Sequence, residues 1–120
     1  MDTHNSLTYV DYDDVNDRVN VPVRFVQLAK KITEQFGGRI FIHQHAIHIQ
    51  LPKKKKFSCP LTEGLGFYIW IERNGDDTVL VDLFMARDVY DISAESVGTF
   101  ECRDTDIEGA LENLGRVLCS

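Results

Sequence analysis

Three of the chain's four histidines, His43, His45 and His48, fall within the six residues HQHAIH. Three imidazoles with one open position form the ligand set of a catalytic zinc site. That is the sharpest chemistry the chain suggests. In an extended strand His43 and His45 point to the same side, and His48 joins them only if the strand changes phase in between. A working centre also needs a general base and carboxylates that orient the ligand rings. No Asp or Glu lies between Gln35 and Pro60, so those groups would have to come from other elements. The expectation is therefore that His43, His45 and His48 are half-exposed residues on a polar strand or turn face. A small zinc-dependent enzyme is the alternative.

Lys53, Lys54, Lys55 and Lys56 form the second feature, followed by Phe57. Four adjacent lysines repel one another, and folding alone does not call for them. They suit phosphates or an acidic protein face, and Phe57 beside them suits stacking on a base. A nucleic-acid binder is a further alternative, but the chain's net charge of −6 disfavours it, because the whole-domain field opposes a polyanion.

The three cysteines, Cys59, Cys102 and Cys119, are odd in number and lack C-x-x-C spacing. Neither a disulfide framework nor a zinc knuckle is indicated, and a reducing compartment fits. The chain has no phosphate loop, no G-x-S-x-G elbow, no H-E-x-x-H and no dinucleotide fingerprint. The absence of these templates points away from an enzyme and from a resident cofactor.

The elements that must position these residues follow from periodicity. Residues 7–12, LTYVDY, are a short first strand, and residues 1–6 are expected to be loose. A helix starts near Pro22, capped by Asn20 or Val21, with Phe25, Leu28, Ala29, Ile32 and Phe36 as its apolar stripe. Gly37 and Gly38 stop it. In RIFIHQHAIHIQL the apolar positions switch from even (Ile40, Ile42) to odd (Ile47, Ile49, Leu51), so one regular strand cannot hold both sets on one face. A hairpin turn around His43–Ala46 is expected, with a bulge as the alternative. Residues 52–64 form a loop. Asn74-Gly75 marks a second hairpin. A five-residue loop, Arg73–Asp77, would pair Ile71 with Val79, Ile69 with Val81 and Phe67 with Leu83, giving a continuous apolar face. VYDI and VGTFEC add edge strands. The closing helix is capped by a Thr105–Glu108 box and carries Ile107, Ala110, Leu111, Leu114 and Leu118.

The resulting order, β-α-β-β-β-β-β-α, predicts a single α+β domain over residues 1–120. It has a mainly antiparallel sheet of five to six strands and two helices. Apolar residues make up 43% and charged residues 27%, an ordinary globular balance. No apolar run reaches a membrane span, and the acidic N-terminal stretch lacks the pattern of a secretory leader, so a cytoplasmic protein is expected. Charge is segregated: residues 21–57 carry eight bases and one acid, while residues 58–120 carry thirteen acids and four bases.

The second face of the Asn74-Gly75 hairpin bears Tyr68, Trp70, Leu80, Asp82 and Phe84, too apolar for a plain solvent face. Either a helix or a partner covers it. Tyr68, Trp70 and Phe84 are anchors of the kind that dominate interfaces. Asp76, Asp77, Asp88 and Asp91 add acidity, and Lys53–Lys56 form the opposite pole. The function expected is a small acidic inhibitor, of the immunity or counter-defence kind, that blocks a basic surface on another protein. A homodimer is compatible with it.

Overall fold

Aliphatic side chains at alternate strand positions decide this architecture. The computed structural model describes residues 9–12, 21, 23–43, 45–53, 57–75, 77–88, 91 and 93–119. The elements run β1 (Tyr9–Tyr12), α1 (Val23–Phe36), β2 (Arg39–Ile42), β3 (Ala46–Gln50), β4 (Gly66–Arg73), β5 (Thr78–Ala86), β6 (Glu95–Arg103) and α2 (Ile107–Leu118). The six strands lie in one sheet in sequence order. The fold is α+β, in the element order read from the sequence. β1 pairs with β2 in parallel, which requires a crossover, and α1 supplies it. The remaining pairs are antiparallel.

The phase change in the histidine stretch is a hairpin. The His43 N–H donates to the Ala46 carbonyl at 2.8 Å. Ile42 then stands opposite Ile47 and Ile40 opposite Ile49, so both sets reach one face. Ile69 and Ile71 of β4 and Val79, Val81 and Leu83 of β5 extend that face, each at most 1% exposed.

The β4–β5 pairing differs from the expected one by two residues. Ile71 lies opposite Val81, Ile69 opposite Leu83 and Phe67 opposite Met85. Arg73 pairs with Val79 and the Asn74 N–H donates to the Thr78 carbonyl at 3.0 Å, so pairing continues past the start of the Arg73–Asp77 loop foreseen. A shift of two leaves every side chain on its own face, so alternation alone could not choose between these registers.

β6 carries an irregularity. Leu83 faces Gly98, but Phe84 faces Ser96, leaving Val97 as the extra residue of a bulge. Val97 packs against the core, and Ser96 takes its place on the opposite face. Of the foreseen VYDI strand, Val89, Tyr90 and Ile92 lie outside the described residues, and Asp91 is not in a strand.

Both helices cover the aliphatic face. α1 lies over β2 and β3, α2 lies against β6, and the helices touch each other. All five residues of the α1 stripe are buried. From α2, Ala110, Leu114 and Leu118 are buried while Ile107 and Leu111 are partly so. Each fully buried aliphatic side chain contributes about 1.5–3 kcal/mol. The cap of α2 is Asp106 rather than Thr105: its carboxylate accepts the Gly109 N–H at 3.0 Å. Aspartate there both satisfies an orphan donor and faces the positive helix end. Arg24 of α1 pairs with Asp104 at 3.1 Å and ties the two helix starts together.

α1 stops where the backbone turns left-handed. Gly37 has φ +87° and donates its N–H to the Thr33 carbonyl at 2.8 Å. Gly38 follows at φ +113°, and a Cβ there would meet the Gln50 carbonyl oxygen at 2.5 Å. Gly64, at φ +87°, has open space around it. Gly64→Ala is expected to cost about 1 kcal/mol for its backbone conformation alone. Gly38→Ala should cost clearly more, because β3 must also move. Urea unfolding of the two variants checks this, and equal losses would contradict it.

Candidate functional site

The sheet's other face is covered by neither described helix. Cross-strand register arranges it in two adjacent rows. One row runs Phe41, His48, Trp70, Asp82, Thr99, and the next runs Gln50, Tyr68, Phe84, Ser96. Aromatic rings from three strands thereby meet around one imidazole. The His48 ring centroid lies 5.3 Å from Tyr68, 5.6 Å from Trp70, 5.8 Å from Phe84 and 6.3 Å from Phe41. His43, entering the turn, places its ring 5.8 Å from His48 and 5.5 Å from Trp70.

These rings bury His48 to 2% exposure with no described helix above it. This corrects the expectation of a half-exposed His48. The surround is apolar, so the charged form is penalised. Burial first, and repulsion from His43 second, push its pKa down to about 4, and the ring is neutral near pH 7. The Nε2 atoms of His43 and His48 are both buried with no hydrogen-bond partner among the described residues. Tyr68 is 1% exposed and stacked on Phe84 at 5.8 Å. Trp70 is half-buried, with its indole N–H donating to Glu72 Oε1 at 2.8 Å.

Beside the rings lies a cleft of about 290 Å³, lined by His48, Trp70, Asp82, Phe84, Asp91, Ala94 and Ser96. Its two carboxylates are built differently. Asp82 Oδ1 accepts from the Ser96 hydroxyl at 2.8 Å and the Thr99 hydroxyl at 2.9 Å. Asp91 accepts the Arg87 N–H at 2.8 Å, the Ser93 N–H at 3.0 Å and the Ser93 hydroxyl at 2.7 Å. The Arg87 and Ser93 donors hold its carboxyl well below the usual carboxylate range. Asp91 therefore builds the loop after β5, with the Arg87 guanidinium 3.5 Å away.

The sequence-derived candidates divide accordingly. Tyr68, Trp70, Phe84 and Asp91 come together on this face, with exposed Asp88 at its edge near Tyr68. Asp77 sits at the far hairpin loop, paired with Arg103 at 3.2 Å. Lys53 is exposed and lines a separate cleft with Phe57 and Cys59. Asp76, Lys54, Lys55 and Lys56 lie outside the described residues. His45 stands exposed in the turn, and among the described residues no group of three His, Cys, Asp or Glu side chains is placed to hold a metal ion. Cys59, Cys102 and Cys119 are free thiols, and burial with nearby Asp106 and Asp104 pushes Cys102 up. Sequence reasoning missed Asp82, Ser96 and Thr99 as a unit, since only the β6 bulge aligns them. No described helix is long and apolar enough to cross a membrane.

The buried imidazole makes stability depend on pH. Unfolded, the ring takes up a proton near pH 6.5; folded, it does so only near pH 4. The unfolded state thus binds more protons between these values, and stability falls as pH drops through that window. Urea unfolding should show the native protein losing roughly 2 kcal/mol between pH 7 and pH 5 through this residue. His48→Phe, which keeps a ring in the cluster, should remove that loss. A wild-type imidazole titrating near 6.5 by NMR would contradict the burial.

No protein-family model, no curated protein and no solved structure matches the chain.

Proposed function

We propose that the chain is a non-enzymatic protein-binding domain that lays the open face of its sheet on a basic surface of a partner. One observation carries this: Trp70, half-buried among aromatic rings and beside Asp82, lies on the face that neither described helix covers. A half-buried indole with a polar tip is the residue type most enriched among interface anchors. The surface is large enough. Six strands span roughly 24 Å across, and β4 and β5 run about 27–30 Å, near the ~800 Å² per partner of a standard interface.

Charge selects the partner. Glu72, Asp82 and Glu101 share this face with Arg103 and Arg39, Asp88 stands at its rim, and the whole chain carries −6. Such a field favours encounter with a basic protein and repels nucleic acid. A basic surface on a protein commonly serves a nucleic acid, so covering it inhibits. This supports an inhibitor of the immunity or counter-defence kind. Three unpaired thiols support a cytoplasmic setting.

The test is affinity capture from cells encoding the chain, comparing wild type with Trp70→Ala, Asp88→Lys and the helix-side control Glu112→Lys. A captured basic protein should be retained by Glu112→Lys, weakened by Asp88→Lys, and weakened roughly 30-fold by Trp70→Ala, the scale of a hot-spot truncation. Retention by all variants alike, or equal loss with the helix-side control, would contradict the proposal.

A further inference from the structure

The cleft beside Trp70 has a composition more specific than an apolar interface needs. Trp70 and Phe84 give it aromatic lining, and Asp82 and Asp91 give it charge. Asp82 enters no ion pair with the described residues, whereas Asp91 has Arg87 3.5 Å away. The Ser96 and Thr99 hydroxyls fix the Asp82 carboxylate in place, and the β6 bulge exists at the residue that brings Ser96 there. His48 also lines it, 98% buried by its 2% exposure, with a buried Nε2 that has no hydrogen-bond partner among the described residues. A neutral imidazole presents one ring nitrogen as an acceptor, and leaving a buried polar atom unmade costs about 1–3 kcal/mol. The site therefore offers an anion and π-faces together, beside a buried imidazole.

We propose that this cleft is a socket for one arginine side chain of the partner protein, its guanidinium stacked between Trp70 and Phe84 and paired with Asp82. A planar cation suits it better than a lysine ammonium. Guanidinium stacks on aromatic faces, is weakly hydrated, and carries N–H donors in a planar fork that matches a carboxylate. The volume of about 290 Å³ is at the lower limit of small-molecule pockets, the scale of a single side chain. The socket rests on the open-face docking described above and names the residue that face receives.

The chain's single tryptophan is itself the reporter. Emission of the full chain is titrated with Nα-acetylarginine amide, and with the matching citrulline compound at equal ionic strength. The arginine compound should produce a saturable change, with a dissociation constant on the order of 1 mM for so few atoms. Citrulline, isosteric but uncharged, should produce none in that range. Asp82→Asn, which can still accept from Ser96 and Thr99, should weaken the arginine response about tenfold. Absence of a saturable response, an equal response to citrulline, or undiminished binding in folded Asp82→Asn would each overturn the socket. The citrulline comparison needs no variant. A cleft that ignores arginine, while Trp70→Ala still releases a captured basic protein, overturns the socket alone and leaves the docking face standing.

Discussion

Strand side chains alternate, and a chain with two helices can cover only one side of a six-stranded sheet if both helices pack together. That constraint organises this molecule. Ile40, Ile42, Ile47, Ile49, Ile69, Ile71, Val79, Val81 and Leu83 all point to the side where α1 and α2 lie, and each is at most 6% exposed. Burial of that face drives folding. Its consequence is that the alternate residues must solve their own solvation. They do so with rings: Tyr68, Trp70, Phe84 and Phe41 gather over His48 and leave a half-buried indole at the surface.

Much of the framework was legible locally. The α1 stripe repeats at helical spacing and ends at two glycines, and all five stripe residues are buried as the spacing required. The parity switch between Ile42 and Ile47 demanded a turn, and the hairpin is there. What stayed hidden depends on quantities that alternation does not carry. The β4–β5 register depends on loop length, and registers two residues apart put the same side chains on the same face. The cap of α2 lies one residue from the T-x-x-E match, because the neighbouring Asp106 carboxylate accepts the Gly109 N–H. The burial of His48 is created by rings from β2, β4 and β5, so nothing adjacent to it in the chain announces it.

The open face keeps features that stability alone would discard. A buried imidazole carries a nitrogen with no hydrogen-bond partner among the described residues, and a carboxylate is held by two hydroxyls beside aromatic rings. The unmet nitrogen adds cost to the isolated domain, and departures from local consistency of this kind concentrate where a protein meets its ligand. Asp91, by contrast, is explained by the loop it closes. Distinguishing these two acids matters, because it leaves Asp82 as the charge that an incoming cation would meet.

Docking by the open face requires Trp70 to lie on an open surface beside acidic groups. Collisional quenching of its fluorescence measures this directly, using acrylamide, caesium and iodide in parallel. Acrylamide should quench efficiently, and caesium should quench more than iodide at matched ionic strength, because Glu72 and Asp82 attract the cation and repel the anion. Quenching as weak as that of a fully enclosed indole, or iodide quenching at least as strong as caesium, would contradict it.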